Sequence, residues 1–175
     1  MIESLKFREL TREELTTLNR ALDKWGVFEF FKDKAVVIAE GTPKKVCLIS
    51  ADIRHILLKF EPEYAGLVIG ELQKGFAPSL QGADVFASKT KSTKYYLTVN
   101  ENAVQLVLYG RDLMGDSITL ASEELDENQL VIILNPRKEA IGVGRTRFAG
   151  KSITQKGRIT VTTLADAGSY LRDEG

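Results

Sequence analysis

The sequence has one cysteine, Cys47, and one histidine, His55, in 175 residues. Cys47 therefore has no internal disulfide partner, and the pair cannot build a zinc site from nitrogen and sulfur ligands. A reducing, cytoplasmic compartment fits, with no metal and no cofactor expected. No uninterrupted apolar run reaches membrane-spanning length, and the opening Met1-Ile2-Glu3-Ser4-Leu5-Lys6-Phe7-Arg8 lacks the apolar region of a signal peptide, so neither insertion nor export is expected. Internal repeats and low-complexity tracts are also missing. Net charge is absent too, with 24 Lys plus Arg against 24 Asp plus Glu. What is present, 43% hydrophobic and 27% charged residues, belongs to a folded chain rather than a disordered one. The length allows one domain or two small ones and excludes a large multidomain enzyme.

The zero net charge conceals a segregation. Residues 111–130 carry one base, Arg111, against six acids (Asp112, Asp116, Glu123, Glu124, Asp126 and Glu127), a balance of −5. Residues 136–158 carry seven bases against Glu139 alone, a balance of +6. A local basic patch attracts a polyanion even on a neutral protein, because the nearby field matters more than the total charge.

Hydrophobic spacing and turn residues divide the chain. Thr11 and Glu14 have the spacing of a capping box, Leu10 and Leu15 that of a hydrophobic staple, and Leu15, Leu18, Leu22 and Trp25 stripe a helix ended by Gly26. Val27 to Phe31 and Ala35 to Ala39 read as a hairpin through Lys32-Asp33-Lys34, and Val46 to Ile49 as a third strand after Gly41-Thr42-Pro43. Ser50 then caps a helix striped by Ile53, Ile56, Leu57 and Phe60, with Pro62 beyond its end. Strands are expected near 65–72 and 83–87. Residues 88–94 contain no apolar side chain and suit a surface linker, placing a domain boundary there. Beyond it, Tyr95 to Val99 reads as a strand. Residues 101–109 fit a helix capped by Asn100 and closed by Gly110, or equally a strand. Leu130 to Leu134, Ala140 to Phe148 and Arg158 to Leu164 read as strands, and 166–172 as a closing helical turn. So many short strands in about eighty residues indicate a small barrel or sandwich.

Several motifs read more simply as structure than as chemistry. Gly142-Val143-Gly144 has Arg147 where a nucleotide loop needs its third glycine, so packing or a strand bulge is the simpler reading. His55 lies off its helix's apolar stripe and reads as a surface residue; Cys47, between Val46 and Leu48, reads as a small buried hydrophobe. Glu123-Glu124-Leu125-Asp126-Glu127 lacks the oxygen pattern of a calcium loop and reads as a solvated loop. By contrast, residues 140–158 hold Arg145, Arg147, Lys151, Lys156 and Arg158 without one acid, interleaved with Phe148, Thr146, Ser152 and Thr154. Cations, hydroxyls and an aromatic together suit RNA phosphates, sugars and bases, although a plain solvated strand edge has the same composition. Strand parity sharpens the point. Ile141 and Val143 share parity with Arg145 and Arg147, so either the strand leaves the wall after Val143 or a bulge at Gly142 or Gly144 turns both arginines to solvent while Phe148 packs inward.

The C-terminal stretch resembles a PUA domain, the small RNA-binding barrel named after pseudouridine synthases and archaeosine transglycosylases. The residues that carry this are Asn102-Ala103 through Leu108-Tyr109-Gly110-Arg111-Asp112-Leu113-Met114, Leu130 to Pro136, Ala140 to Gly144 and Gly157 to Val161. The resemblance implies a helix over 101–109. Leu10 to Glu14, Val46 to Ser50 leading into the 53–58 helix, Lys94 to Leu97 and the closing Ala165 to Arg172 are similar to the Nip-seven family of large-subunit ribosome biogenesis factors, in its archaeal branch given Gly75 to Leu80 and the basic loop.

What the resemblance implies is an α+β protein: an N-terminal α/β domain with a mainly antiparallel sheet and helices over 1–92, then a PUA-type small β-barrel over 93–175. It implies a non-enzymatic factor that binds single-stranded or irregular pre-ribosomal RNA in rRNA processing and large-subunit assembly. Other assembly factors are the expected partners of the N-terminal domain, with no DNA and no membrane. Carried over to this sequence, the RNA face comprises Arg145, Arg147, Lys151 and Lys156, which the neighbouring Arg137, Lys138 and Arg158 extend; no catalytic residue transfers. The rival reading is an RNA-modifying enzyme or an accessory subunit of one, against which stands the lack of a nucleotide-binding glycine turn and of an acid/base set. A protein-only interaction module is a third.

Overall fold

The computed structural model describes residues 6–60 and 62–172; residues 1–5, part of the opening segment discussed above, lie outside it. The chain divides into two compact units, Met1–Gly82 and Ala83–Gly175. Among the described residues no helix is long and apolar enough to cross a membrane.

The first unit contains a five-stranded antiparallel sheet in sequential order, β1 (Phe7–Arg8), β2 (Ala35–Ala39), β3 (Lys44–Ile49), β4 (Leu67–Leu72) and β5 (Phe76–Pro78). Val37, Ile38 and Ala39 are buried consecutively, as are Val46 and Cys47, so the central strands are covered on both faces. Helix α1 (Arg12–Lys24) begins with the expected capping box: the Glu14 N–H donates to Thr11 Oγ1 at 3.2 Å and the Thr11 N–H donates to Glu14 Oε2 at 2.9 Å. Leu18, Leu22 and Trp25 are buried as spaced, whereas Leu15 stays exposed.

Glu14 does more than cap. Arg8 grips it with both guanidinium arms at 2.7 and 2.8 Å, and Lys44 Nζ donates to it at 2.8 Å, tying β1 and β3 to the start of α1. The bonds from Arg8, then those from Lys44 and Thr11, outweigh burial and hold the carboxyl well below its ordinary 4.5. A carboxyl lowered on folding stabilises above its unfolded pKa and loses that contribution as pH falls through the folded one. Urea midpoints read by Trp25, the one tryptophan, are therefore expected to fall as pH drops below 4.5, and Glu14→Gln is expected to flatten that limb. An unchanged limb would show that the network does not couple to folding.

Three expectations for this unit need correction. Val27 to Phe31 is not a strand: Val27 (1% exposed) and Phe31 (4%) are buried four residues apart, and Phe28–Phe31 forms the short helix α2. The actual hairpin is β2 to β3 through Gly41-Thr42-Pro43. Residues 51–58 form a 3₁₀ turn, Ala51–Ile53, and a brief helix α3 (Arg54–Leu57); Ser50 sits at the N-cap without a capping bond, and only Leu57 of the expected stripe is buried. Residues 83–87 lie in helix α4 (Leu80–Lys89), which spans the junction of the units, because Ser79 Oγ accepts from the Gly82 N–H and Ala83 and Phe86 are buried at helical spacing.

The second unit is a curled six-stranded sheet in the order β7 (Leu113–Met114), β11 (Ile159–Asp166), β10 (Ala140–Thr146), β9 (Leu130–Leu134), β6 (Tyr96–Val99), β8 (Ile118–Leu120). All pairs are antiparallel except β6 with β9. Residues 101–109 resolve as helix α5 (Glu101–Leu108), capped by Asn100 Oδ1 on the Ala103 N–H and ended by Gly110 at φ 71°. Its Ala103 and Val107 join Leu97, Val99, Val131, Ile133, Ile141 and Val161 in one core. A Cβ on Gly142 would stand 3.1 Å from Val107 and 2.8 Å from the Ala165 carbonyl, so glycine there permits the close helix and strand approach. A short helix, α6 (Ser169–Arg172), closes the chain.

Candidate nucleic-acid interface

Strand β10 positions the basic residues, and its register explains how. Against β9, Ala140 pairs with Leu134 and Gly142 with Ile133, leaving Ile141 as an extra residue that joins the core. From there Gly142, Gly144 and Thr146 face inward: Cβ atoms on the two glycines would meet Ile133, and Thr146 is 2% exposed with its hydroxyl bonded to the Asp126 carbonyl at 2.6 Å. Val143 and Arg145 take the other face. The parity conflict is thus settled before Val143, not after it. The ladder to β11 is also irregular at Val143 and Gly144, but there the unmatched residue is Leu164 on the partner strand.

Arg145 lies opposite Thr162 and donates from Nη1 to the Asn128 carbonyl at 2.9 Å. Arg147 donates from Nε to Thr162 Oγ1 at 2.8 Å, so both arginines share the outer face around one threonine. Arg147 Nη2 also meets Asp112 Oδ2 at 2.6 Å, and the Thr163 N–H donates to Oδ1 of the same carboxylate at 3.1 Å. Arg145 is therefore held by neutral groups, with no carboxylate partner among the described residues, whereas Arg147 is oriented by Asp112 and carries it as a counter-ion.

Phe148 does not enter the core. It is half-buried beneath Arg158, whose guanidinium carbon stands 4.0 Å from the ring centre. Gly150–Thr154 forms a 3₁₀ segment fixed by fully buried Ile153 and by the Gly150 N–H on the Leu125 carbonyl at 2.8 Å. Lys151 projects from it, 3.8 Å from Glu123, and Lys156 stands exposed in the following turn. The acidic run is a loop anchored by buried Leu125 that supplies counter-charges: Glu123 to Lys151 and Glu124 to Lys94.

Arg137 and Lys138 sit in the β9 to β10 turn, at the other end of β10, about 20 Å away for a strand of this length. Lys138 Nζ donates to Thr98 Oγ1 at 2.8 Å, and Arg137 is exposed. The structure thus gathers Arg145, Arg147 and Arg158 with the 150–157 loop and sets Arg137 and Lys138 apart. Asp112, Thr162 and Gln155 were missed from the sequence; the adjacent −5 and +6 blocks were the signal that acids would lie beside the bases.

Outside this face, His55 is exposed and Cys47 is buried, its thiol pKa pushed up by burial. A cavity of 350 Å³ in the first unit is lined by Glu14, Gly41, Thr42, Pro43, Lys44, Leu72 and Gln73; among the described residues its one carboxylate is the one gripped by Arg8 and Lys44, which leaves it poorly suited to proton transfer.

Residues 7–80 match the NIP7/UPF0113 pre-PUA domain and residues 95–175 the UPF0113 PUA domain. A UPF0113 protein of Archaeoglobus fulgidus is 31% identical over 172 residues, 97% of each chain. Another, of Aeropyrum pernix, is 30% identical over 137 residues, 77% of this chain and 72% of that one. Two solved structures share the fold: a hypothetical protein of Pyrococcus horikoshii (TM-score 0.69, 17% identity, 96% of this chain and 98% of that) and a conserved PUA domain protein of Thermoplasma acidophilum (0.68, 13%, the same coverage). Agreement along both units, in sequence and in topology, makes this chain a member of the UPF0113 family, built of a NIP7-type pre-PUA domain followed by a PUA domain.

Proposed function

We propose that the protein is a non-catalytic RNA-binding factor that holds single-stranded or irregular precursor ribosomal RNA during large-subunit assembly. The division of labour is RNA contact by residues 93–175 and contact with other assembly factors by residues 1–92. The observation that carries the RNA reading is the placement of Arg145 and Arg147 side by side on the outer face of β10. Alternate residues of a strand stand about 7 Å apart, close to the spacing of successive phosphates, so the two cations suit one stretch of backbone. Membership of a PUA family supports the same polymer. The NIP7-type first domain supports the ribosomal assignment.

The test is crosslinking of the tagged full-length protein in its native cells, followed by sequencing of the attached RNA. Enrichment of precursor large-subunit rRNA is the expected result. Reads spread over mature transfer and messenger RNAs in proportion to abundance would reject the ribosomal assignment.

A further inference from the structure

Resting on the RNA reading above, we propose that the outward face of the Arg158 guanidinium is a stacking platform for one unpaired nucleobase, beside the backbone contacts of Arg145 and Arg147. Arg158 is an exposed residue, yet its head group is not loose. The Phe148 ring covers one side at 4.0 Å, and Nη1 donates to Gln155 Oε1 at 3.0 Å along the edge. Ring and amide together hold the guanidinium in place, while the residue as a whole stays exposed.

The turn that carries these groups is itself pinned. Gly115 approaches Gln155 so closely that a Cβ would lie 2.2 Å from the Gln155 carbonyl oxygen, and the Gly115 N–H donates to the Arg158 carbonyl at 2.9 Å. The Gly157 N–H, at φ 72°, donates to Asp116 Oδ1 at 3.3 Å. Gln155 and Arg158 are thus set before any ligand arrives, which lowers the ordering cost of binding. The platform also adjoins the phosphate contacts: Phe148 follows Arg147 in the chain, and the Arg147 N–H donates to the carbonyl of Thr160, two residues after Arg158.

A guanidinium is planar, delocalised and weakly hydrated, so a nucleobase stacks on it as on an aromatic ring. Phe148 is half-buried and already carries Arg158 over its ring, so the guanidinium is the plane offered to a base. The order is base, guanidinium, ring. Lysine carries the same charge without the plane, and this separates stacking from simple attraction.

The experiment measures binding of full-length protein to a labelled single-stranded octaribonucleotide of mixed sequence and to the same backbone with abasic spacers, across a salt series. Wild type is expected to prefer the base-bearing strand. Arg158→Lys is expected to weaken that strand about tenfold while leaving the abasic strand and the salt slope unchanged. Phe148→Leu, which removes the support under the guanidinium, is expected to act in the same direction. Equal binding of both strands by wild type, or wild-type affinity in Arg158→Lys, would overturn the platform while leaving the backbone contacts standing. Failure of wild type to bind either strand would overturn the RNA reading and this inference with it.

Discussion

Replacing Arg145 and Arg147 together by alanine is expected to weaken RNA binding by about tenfold or more near physiological salt, across sequences rather than at one of them. Each phosphate neutralised on a single strand contributes about 0.7 to the slope of log affinity against log salt, so losing both contacts should make the slope shallower by about 1.4. The two residues are not equivalent. Arg145 is held by the neutral Asn128 carbonyl, whereas Arg147 carries Asp112 as a counter-ion, so Arg145→Ala alone is expected to account for the larger share. Folding is expected to change little, because the half-exposed Arg147 to Asp112 pair is worth at most about 1 kcal/mol. An unchanged slope with intact folding would place the basic face elsewhere, with Arg137, Lys138 and Lys151 the next to replace.

The largest effect on stability is expected from Gly82→Ala. On propensity alone this change should stabilise α4, since alanine is favoured over glycine in a helix by about 1 kcal/mol. Packing reverses the sign. A Cβ at this position would lie 1.8 Å from the Ile69 carbonyl oxygen and 2.6 Å from its carbon, and Ile69 belongs to β4, which is paired on both sides in the first unit's sheet. Helix and strand would have to separate, which costs about 3 kcal/mol and outweighs the propensity gain. Urea denaturation followed by Trp25 should show a lower midpoint at unchanged slope; a midpoint equal to or above wild type would contradict this account of how α4 packs.

The same glycine shows where sequence reading fell short. Gly82, Ala83, Val85 and Phe86 look like a glycine-weakened strand, and only the Ser79 cap and the contact with Ile69 make them a helix. Val27 to Phe31 misled likewise: aromatic residues favour strands locally, but burial four residues apart requires a helix. Ile53, Ile56 and Phe60 have helical spacing without the burial that such spacing ordinarily signals. Features set by neighbours in the chain were legible, among them the Thr11 to Glu14 capping box and the strands over 130–134 and 140–146. The helix over 101–109 was open on propensity and followed only from the family resemblance. At the candidate site the basic residue types could be read directly, and so could the outward direction of both arginines. The contacts that hold them could not, because they depend on the extra residue at Ile141, on the pairing with β11 and on the Asp116 and Gly115 contacts that fix the 155–158 turn.

Ultraviolet crosslinking of full-length protein to a single-stranded RNA, with the adducts located by peptide mass spectrometry, shows which unit the RNA touches. The adducts are expected on peptides spanning Arg145 to Arg158, with the yield reduced by added salt and by the double arginine replacement. Adducts confined to residues 6–82 would contradict the assignment of RNA binding to the second unit.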